Sequence, residues 1–300
     1  MGIQIKKNLV YGHTEREVLT CDAYLPESGT DIPVVLLVHG GAFRYGNASV
    51  YTEWGTFLAE NGICAVSVNY RMSTGKYAGY PGVLEDIAAA ADYVVSMSSE
   101  WHTDPFRMAM MGDSAGACLI FLHTFRHAYA SYRIRAVAAA YGLYDMVSWS
   151  AYNDVKWKKI SDPAADFLGC SREENPELYE EVSPVRRIRD DLTKMPTVRP
   201  RIFLTWGKRD DFVPYEENSE KLAEILKEEG LSVETAVYED CGHLWFSRDV
   251  FNHEICSLDK YPNRDLAPKL LEFLKETFAE EEFHRVCGEL TCVSRLGAKL

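Results

Sequence analysis

The sequence predicts an α/β architecture in which a mostly parallel sheet is wound on both faces by helices. Three observations carry that expectation: strand-length apolar runs without polar alternation, helical patterns between them, and glycines where those helices should stop. A strand that is apolar on both faces belongs under helical layers on both sides, the usual setting of a parallel strand. In chain order, the polar stretches 3–11 and 16–25, the second ending before Pro26, read as an antiparallel hairpin at the sheet edge. Residues 33–41 (PVVLLVHGG), 62–71 (GICAVSVNYR) and 108–116 (MAMMGDSAG) read as the next strands. They are followed by 134–142 (IRAVAAAYG), 201–210 (RIFLTWGKRD) and 232–240 (SVETAVYED). Helical patterns cover 51–61, 83–98, 115–130 and 216–229, with Gly62 and Gly230 at the C-terminal caps of the first and last. Strands alternating with helices make βαβ units, hence a doubly wound sheet.

One stretch breaks this rhythm. Residues 145–200 contain no strand-like run but carry Pro163, Pro176, Pro184, Pro196 and Pro200 and the aromatics Trp149, Tyr152, Trp157, Phe167 and Tyr179. A connection this long inside a compact domain is a lid or binding insertion, or a helical excursion over the sheet, and the two are compatible. The expected organisation is one domain over 1–300, with a cap-like insertion at 145–200 and a C-terminal helical extension at 252–300. Within the extension, 266–278 has apolar residues at helical spacing. The tail 280–300 reads equally as a homo-oligomer contact or a loose end.

Composition narrows the function classes. With 47% hydrophobic and 26% charged residues, the chain is neither disordered, collagenous nor a coiled coil as a whole. The excess of 45 acidic over 32 basic residues, a net −13, argues against a nucleic-acid backbone or an anionic membrane as partner. No run approaches the ~18–20 apolar residues of a membrane span and the first residues lack a signal-peptide core, so the expected compartment is the cytoplasm. The eight cysteines are scattered with no C-x-x-C pair, and Cys287 and Cys292 fit no zinc spacing. They read as reduced, small apolar side chains.

Three motifs carry chemistry. Gly112-Asp113-Ser114-Ala115-Gly116 lies between an apolar strand and a helix, where small flanking residues permit the strained turn that exposes a serine Oγ. His39-Gly40-Gly41-Ala42-Phe43 ends the strand 34–38, and its glycines could aim backbone N–H groups at a developing oxyanion. Gly40, Gly41 and Ala115 are the expected donors, and His39 the brace of the loop. A serine nucleophile also needs a histidine base and a carboxylate that fixes its tautomer. Asp210 and Asp211 follow the strand 202–206, and His243 follows the strand 233–238, so both groups leave the carboxyl edge where open α/β sheets place their sites. Serine, then acid, then histidine is the chain order of α/β-hydrolases. His13, His102, His123, His127, His253 and His284 read as surface or helix residues. Phe43, Trp54, Trp206 and Trp245 lie beside the motifs, and Phe43 and Trp245 are the expected substrate contacts.

At these residues the chain resembles the α/β-hydrolase esterases related to hormone-sensitive lipase, in particular the feruloyl- and acetylxylan-esterase-like branch that shades into kynurenine formamidases. The resemblance runs through Tyr24-Leu25-Pro26, HGGAF, Val68-Asn69-Tyr70-Arg71, GDSAG, Ser183-Pro184-Val185, the G-x-x-D-x-x-V-P of 207–214 and Gly242-His243, roughly 15–250. It implies Ser114, Asp210 and His243 as the triad, with Asp211 as the competing acid. It also implies that Tyr70-Arg71 and Glu85-Asp86 brace the oxyanion loop. Two positions depart from the pattern. Ala117 replaces a frequent glycine one turn into the helix, and Ala42 stands where formamidases place an aromatic. The function expected is a serine carboxylesterase acting on a small-molecule ester, a short acetyl-like acyl group on an aromatic or sugar alcohol, through an acyl-enzyme. Neither a metal nor an organic cofactor is expected. The alternatives are an arylformamidase-type amidase with the same triad and a non-catalytic binding protein.

Overall fold

The computed structural model describes residues 2–126, 131–156, 162–195, 199–248 and 257–279. Expectations for His127, Trp157, Pro196, His253, His284, Cys256, Cys287, Cys292 and the tail 280–300 lie outside them, as do the end of the 115–130 helix and the start of the C-terminal extension. The described residues form an eight-stranded sheet: β1 (Ile3–His13), β2 (Val18–Pro26), β3 (Ile32–Val38), β4 (Cys64–Val68), β5 (Thr103–Asp113), β6 (Ile134–Ala140), β7 (Arg201–Gly207) and β8 (Val233–Tyr238). Its spatial order is β1-β2-β4-β3-β5-β6-β7-β8. The β1–β2 and β2–β4 pairings are antiparallel and every later one is parallel.

The helices follow from this order. α1 (Thr52–Glu60) carries the chain from β3 back to β4, whereas α2 (Gly82–Trp101) carries it the other way, from β4 past β3 to β5. Right-handed crossovers running in opposite directions place the two helices on opposite faces. α3 (Ser114–Arg126), α7 (Pro184–Lys194) and α8 (Lys221–Glu228) continue in the direction of α2 and pack in a row with it. α9 (Asn263–Ala279) packs on β6 and β7. Residues 34–38 are fully buried, as a strand covered on both faces requires. Burying each of its Val and Leu side chains stabilises the sheet by about 1.5–3 kcal/mol.

Two helices depart from the sequence pattern for identifiable reasons. α2 runs three residues beyond the expected end because Trp101 turns back into the core against Tyr93, and His102 stops the helix in the left-handed region at φ +56°. The helix expected over 216–229 begins with a wide turn, Glu216–Glu220, and becomes α-helical only from Lys221. Buried Asn218 sits in that turn. It accepts the N–H groups of Tyr144 (2.7 Å) and Asp145 (2.8 Å) and donates to the Pro214 carbonyl (2.8 Å).

The stretch 145–200 contains α4 (Met146–Lys156), α5 (Pro163–Leu168), α6 (Pro176–Glu181) and then α7. Proline stands in the first turn of α5, α6 and α7, where its missing N–H is no loss. Ser183, in the Ser-Pro-Val motif, ties the start of α4 to α6: its Oγ donates to Tyr179 O (2.6 Å) and accepts from Met146 N (2.8 Å). Among the described residues no helix is long and apolar enough to cross a membrane. Cys21, Cys64, Cys118, Cys170 and Cys241 are free thiols.

Candidate active site

The strand order reverses between β3 and β5, which are neighbours although β4 comes between them in sequence. The loops leaving their carboxyl ends therefore lie side by side in the crevice where open α/β sheets bind ligands. The first is the His39-Gly40-Gly41 loop, the second the turn carrying Ser114.

Ser114 begins α3 with φ +50°, a left-handed conformation that raises a non-glycine residue out of the strand line. The turn packs this closely because the residues two before and two after the serine are glycines. A Cβ on Gly112 would lie 2.9 Å from the Val38 carbonyl oxygen, and one on Gly116 would overlap that oxygen outright. This is the steric reason for glycine on both sides of the serine. As a first-turn residue of α3, Ala115 has an N–H with no partner within the helix.

The histidine and the acid arrive from the far end of the sheet. His243 Nε2 lies 3.0 Å from Ser114 Oγ, and its Nδ1 lies 2.6 Å from Asp210 Oδ2. The other carboxylate oxygen of Asp210 accepts the N–H groups of Phe212 and Val213, both at 2.9 Å. Local chain geometry thus aims Oδ2 at the imidazole. The rings of Tyr141 (4.3 Å) and Phe212 (5.5 Å) pack against His243. The sequence left Asp210 and Asp211 in competition; the structure separates them. Asp211 is 71% exposed and pairs with Lys156 at 3.0 Å, whereas the Asp210 side chain is 1% exposed.

The glycine loop requires a correction. Gly40 was expected to donate to an oxyanion, but its N–H is committed to Asp113 Oδ1 at 3.1 Å. Gly41 N–H and Ala42 N–H have no acceptor among the described residues, so with Ala115 they are the amides available here. Asp113 organises this arrangement. Tyr51 donates to its Oδ1 (2.5 Å), and Ser247 (3.0 Å) and Tyr141 (3.4 Å) donate to its Oδ2. Burial pushes the Asp113 carboxyl up from the usual carboxylate range, and these hydrogen bonds oppose that shift. The sequence reading passed over Asp113; a charged residue inside an otherwise apolar strand end was its signal.

His39 is the expected brace. Its Nδ1 donates to the Gly40 carbonyl (2.7 Å), its ring stacks on Tyr70 at 4.4 Å, and Tyr70 donates to the His39 carbonyl (2.7 Å). Complete burial lowers its pKa to about 4, so it is neutral and not poised for proton transfer at pH 7. Arg71 holds Asp86 through contacts of 2.6 and 2.8 Å, while Glu85 is 74% exposed and only borders the pair. The loop itself is strained: Gly41, Ala42 and Phe43 have φ of +111°, +52° and +63°. For the two non-glycine residues this costs about 1–2 kcal/mol each.

Phe43 also requires correction as a substrate contact. It is 1% exposed and lies flat on Phe167 of α5 at 3.9 Å, so it backs the loop and offers no open face. Trp54 is a core residue whose indole donates to Phe246 O (2.7 Å), and Trp206 is also buried. Trp245 is half-buried; it donates to Gly242 O (3.1 Å) and meets the Tyr141 ring edge-on at 5.3 Å. The helices after β6 reach both sides of the site. Trp149 donates to Phe212 O (3.0 Å), Tyr152 to Asp211 O (2.9 Å), and Asp166 pairs with Arg44.

Comparison with known proteins bears on the fold and the family. The chain is 28% identical over 264 residues to isoprenylcysteine alpha-carbonyl methylesterase of Arabidopsis thaliana, an alignment covering 80% of this chain and 56% of that protein. The chain thus spans little more than half the length of that relative. A truncated carbohydrate esterase from gut microbiota superposes with a TM-score of 0.71 at 20% identity, covering 92% of this chain and 97% of that one. Thermogutta terrifontis esterase 2 phosphoramylated by tabun superposes with a TM-score of 0.66 at 19% identity, covering 94% and 96%. Both share the fold. The BD-FAE family model matches residues 21–226, about two thirds of the sequence. With that match, this sheet order and this serine turn, the chain belongs to the BD-FAE family of α/β-hydrolases.

Proposed function

We propose that this protein is a serine carboxylesterase that hydrolyses short-acyl, acetyl-like esters of aromatic or sugar alcohols through an acyl-enzyme. The observation that carries the reading is the unbroken hydrogen-bonded chain from Ser114 Oγ through His243 to Asp210, at 3.0 and 2.6 Å. In this mechanism His243 Nε2 takes the Ser114 proton as Oγ attacks the ester carbonyl. Asp210 holds the Nδ1–H tautomer and stabilises the imidazolium. The carbonyl oxygen becomes an oxyanion that accepts from the Gly41, Ala42 and Ala115 amides. Protonated His243 gives its proton to the departing alcohol, and water then repeats the sequence on the acyl-enzyme.

The ester class is supported by a methylesterase relative and by the likeness to a carbohydrate esterase. Trp245, half-buried against the Tyr141 ring that packs on His243, is the proposed wall for the alcohol group. The test is turnover of p-nitrophenyl esters across acyl lengths by the wild type and by Ser114→Ala. The expected result is highest activity on the acetyl ester, lost in the variant. A folded wild type inert on every ester, or turnover that survives Ser114→Ala, would overturn the reading.

A further inference from the structure

We propose that Asp166 and Phe167 of α5 are positioning residues for the oxyanion loop, acting through Arg44 and Phe43; the proposal rests on the esterase reading above. The loop holds three consecutive positive φ values at Gly41, Ala42 and Phe43, and L residues at two of these positions resist that conformation. Its start is tied to the core by the Gly40 bond to Asp113. Its far end is tied elsewhere. Ser73 N–H donates to Phe43 O at 2.8 Å, the Phe43 and Phe167 rings stack at 3.9 Å and 12°, and the Arg44 guanidinium pairs with the Asp166 carboxylate.

Adjacent residues on the loop therefore meet adjacent residues on α5, one pair aromatic and one ionic. Two unlike attachments fix the rotation of the segment as well as its place. The ion pair is shielded, with Arg44 16% and Asp166 26% exposed. Phe167 is in turn held in place, because its carbonyl accepts the N–H groups of Gly79 (3.1 Å) and Tyr80 (3.0 Å) and its ring meets Tyr80 edge-on at 5.8 Å. Ala42, whose amide has no acceptor among the described residues, immediately precedes the attached pair. Releasing α5 would let that amide turn away without removing any donor. Such a change weakens the transition state and leaves ground-state binding intact.

The test compares Asp166→Asn and Phe167→Leu with Asp166→Glu as the conservative rescue and Glu177→Gln, exposed on α6, as the control. Readouts are kcat and KM on p-nitrophenyl acetate, affinity for a trifluoromethyl ketone that forms a tetrahedral oxyanion, hydrogen exchange over residues 40–46, and Tm. The first two variants should lose about 10-fold in kcat and in ketone affinity, less than the about 10²–10³ of a deleted donor, with KM within about 2-fold. Exchange over 40–46 should rise, and Asp166→Glu should recover most of the activity. Wild-type kcat, ketone affinity and exchange in both variants, or a loss confined to KM, would overturn the proposal. An inactive wild type would sink the esterase reading alone, because exchange over 40–46 reports the attachment whether or not esters turn over.

Discussion

The two arms of the site are held in opposite ways. The acid arm sets its carboxylate locally: Asp210 is aimed at His243 by the N–H groups of Phe212 and Val213, two and three residues further along the chain, and α4 adds only bonds from Trp149 and Tyr152 to the carbonyls of the same turn. The oxyanion arm is held from outside. Asp113 from β5 and Tyr70 beyond β4 hold Gly40 and His39 ahead of the strained residues 41–43, and Ser73 and Phe167 of α5 hold Phe43 at their end. A strand-end turn that satisfies its own carboxylate keeps its shape in many contexts, whereas a strained loop keeps its shape only while distant partners hold it. In the proposed mechanism, proton transfer falls to the locally set arm and the tuning of transition-state stabilisation to the externally supported one.

Several substitutions would break or sharpen this contrast. Ser114→Ala removes the group both arms serve; kcat/KM should fall by about 10⁴-fold or more with Tm unchanged, as measured by stopped assay and thermal melting. On the acid arm, Asp210→Asn should cost about 10³–10⁴-fold in kcat, while Asp211→Asn, whose partner is Lys156, should cost less than about 3-fold. Equal losses in the two variants would refute the assignment of the acid. On the oxyanion arm, Asp113→Asn weakens the hold on Gly40 and leaves Ser114, His243 and Asp210 in place. It should lower kcat by about 10–100-fold with little change in KM, and Tyr51→Phe should lower stability by about 1–3 kcal/mol in urea titration.

The last expected effect concerns pH. His39 is buried neutral, with its pKa lowered to about 4 in the folded state, while the unfolded chain binds a proton near 6.5. The unfolded state therefore binds more protons between these values, so stability is full above about pH 6.5 and falls as pH drops toward 4. The loss reaches about 3 kcal/mol. His39→Gln should flatten that slope in urea unfolding measured from pH 7 to pH 4. A wild type with no acid slope in that window would contradict the burial of a neutral imidazole.

The same contrast explains what was legible in the sequence. β3 through β7 were readable because uniform apolar runs suit strands buried on both faces, β8 because its mixed run follows the 216–229 helix and Gly230, and the acid arm because strand, glycine, aspartate and histidine occur in chain order. The competition between Asp210 and Asp211 was not, since adjacent carboxylates differ only in where the turn points them. Gly40 was misassigned for a tertiary reason: which of two consecutive amides is free depends on Asp113, 73 residues away. Phe43 read as a substrate contact because nothing in sequence pairs it with Phe167. The hold of α4 and α5 on the two arms was equally hidden, since it is a contact between loops and not a periodicity.

The most direct measurement is peptide mass spectrometry after exposure to paraoxon, a phosphate triester whose phosphoryl adduct on a serine is long-lived. The expected result is one diethylphosphoryl group on the peptide bearing Ser114, slowed in Asp210→Asn and absent in Ser114→Ala. Complete esterase inhibition with the adduct on another residue, or turnover that paraoxon does not touch, would contradict Ser114 as the nucleophile.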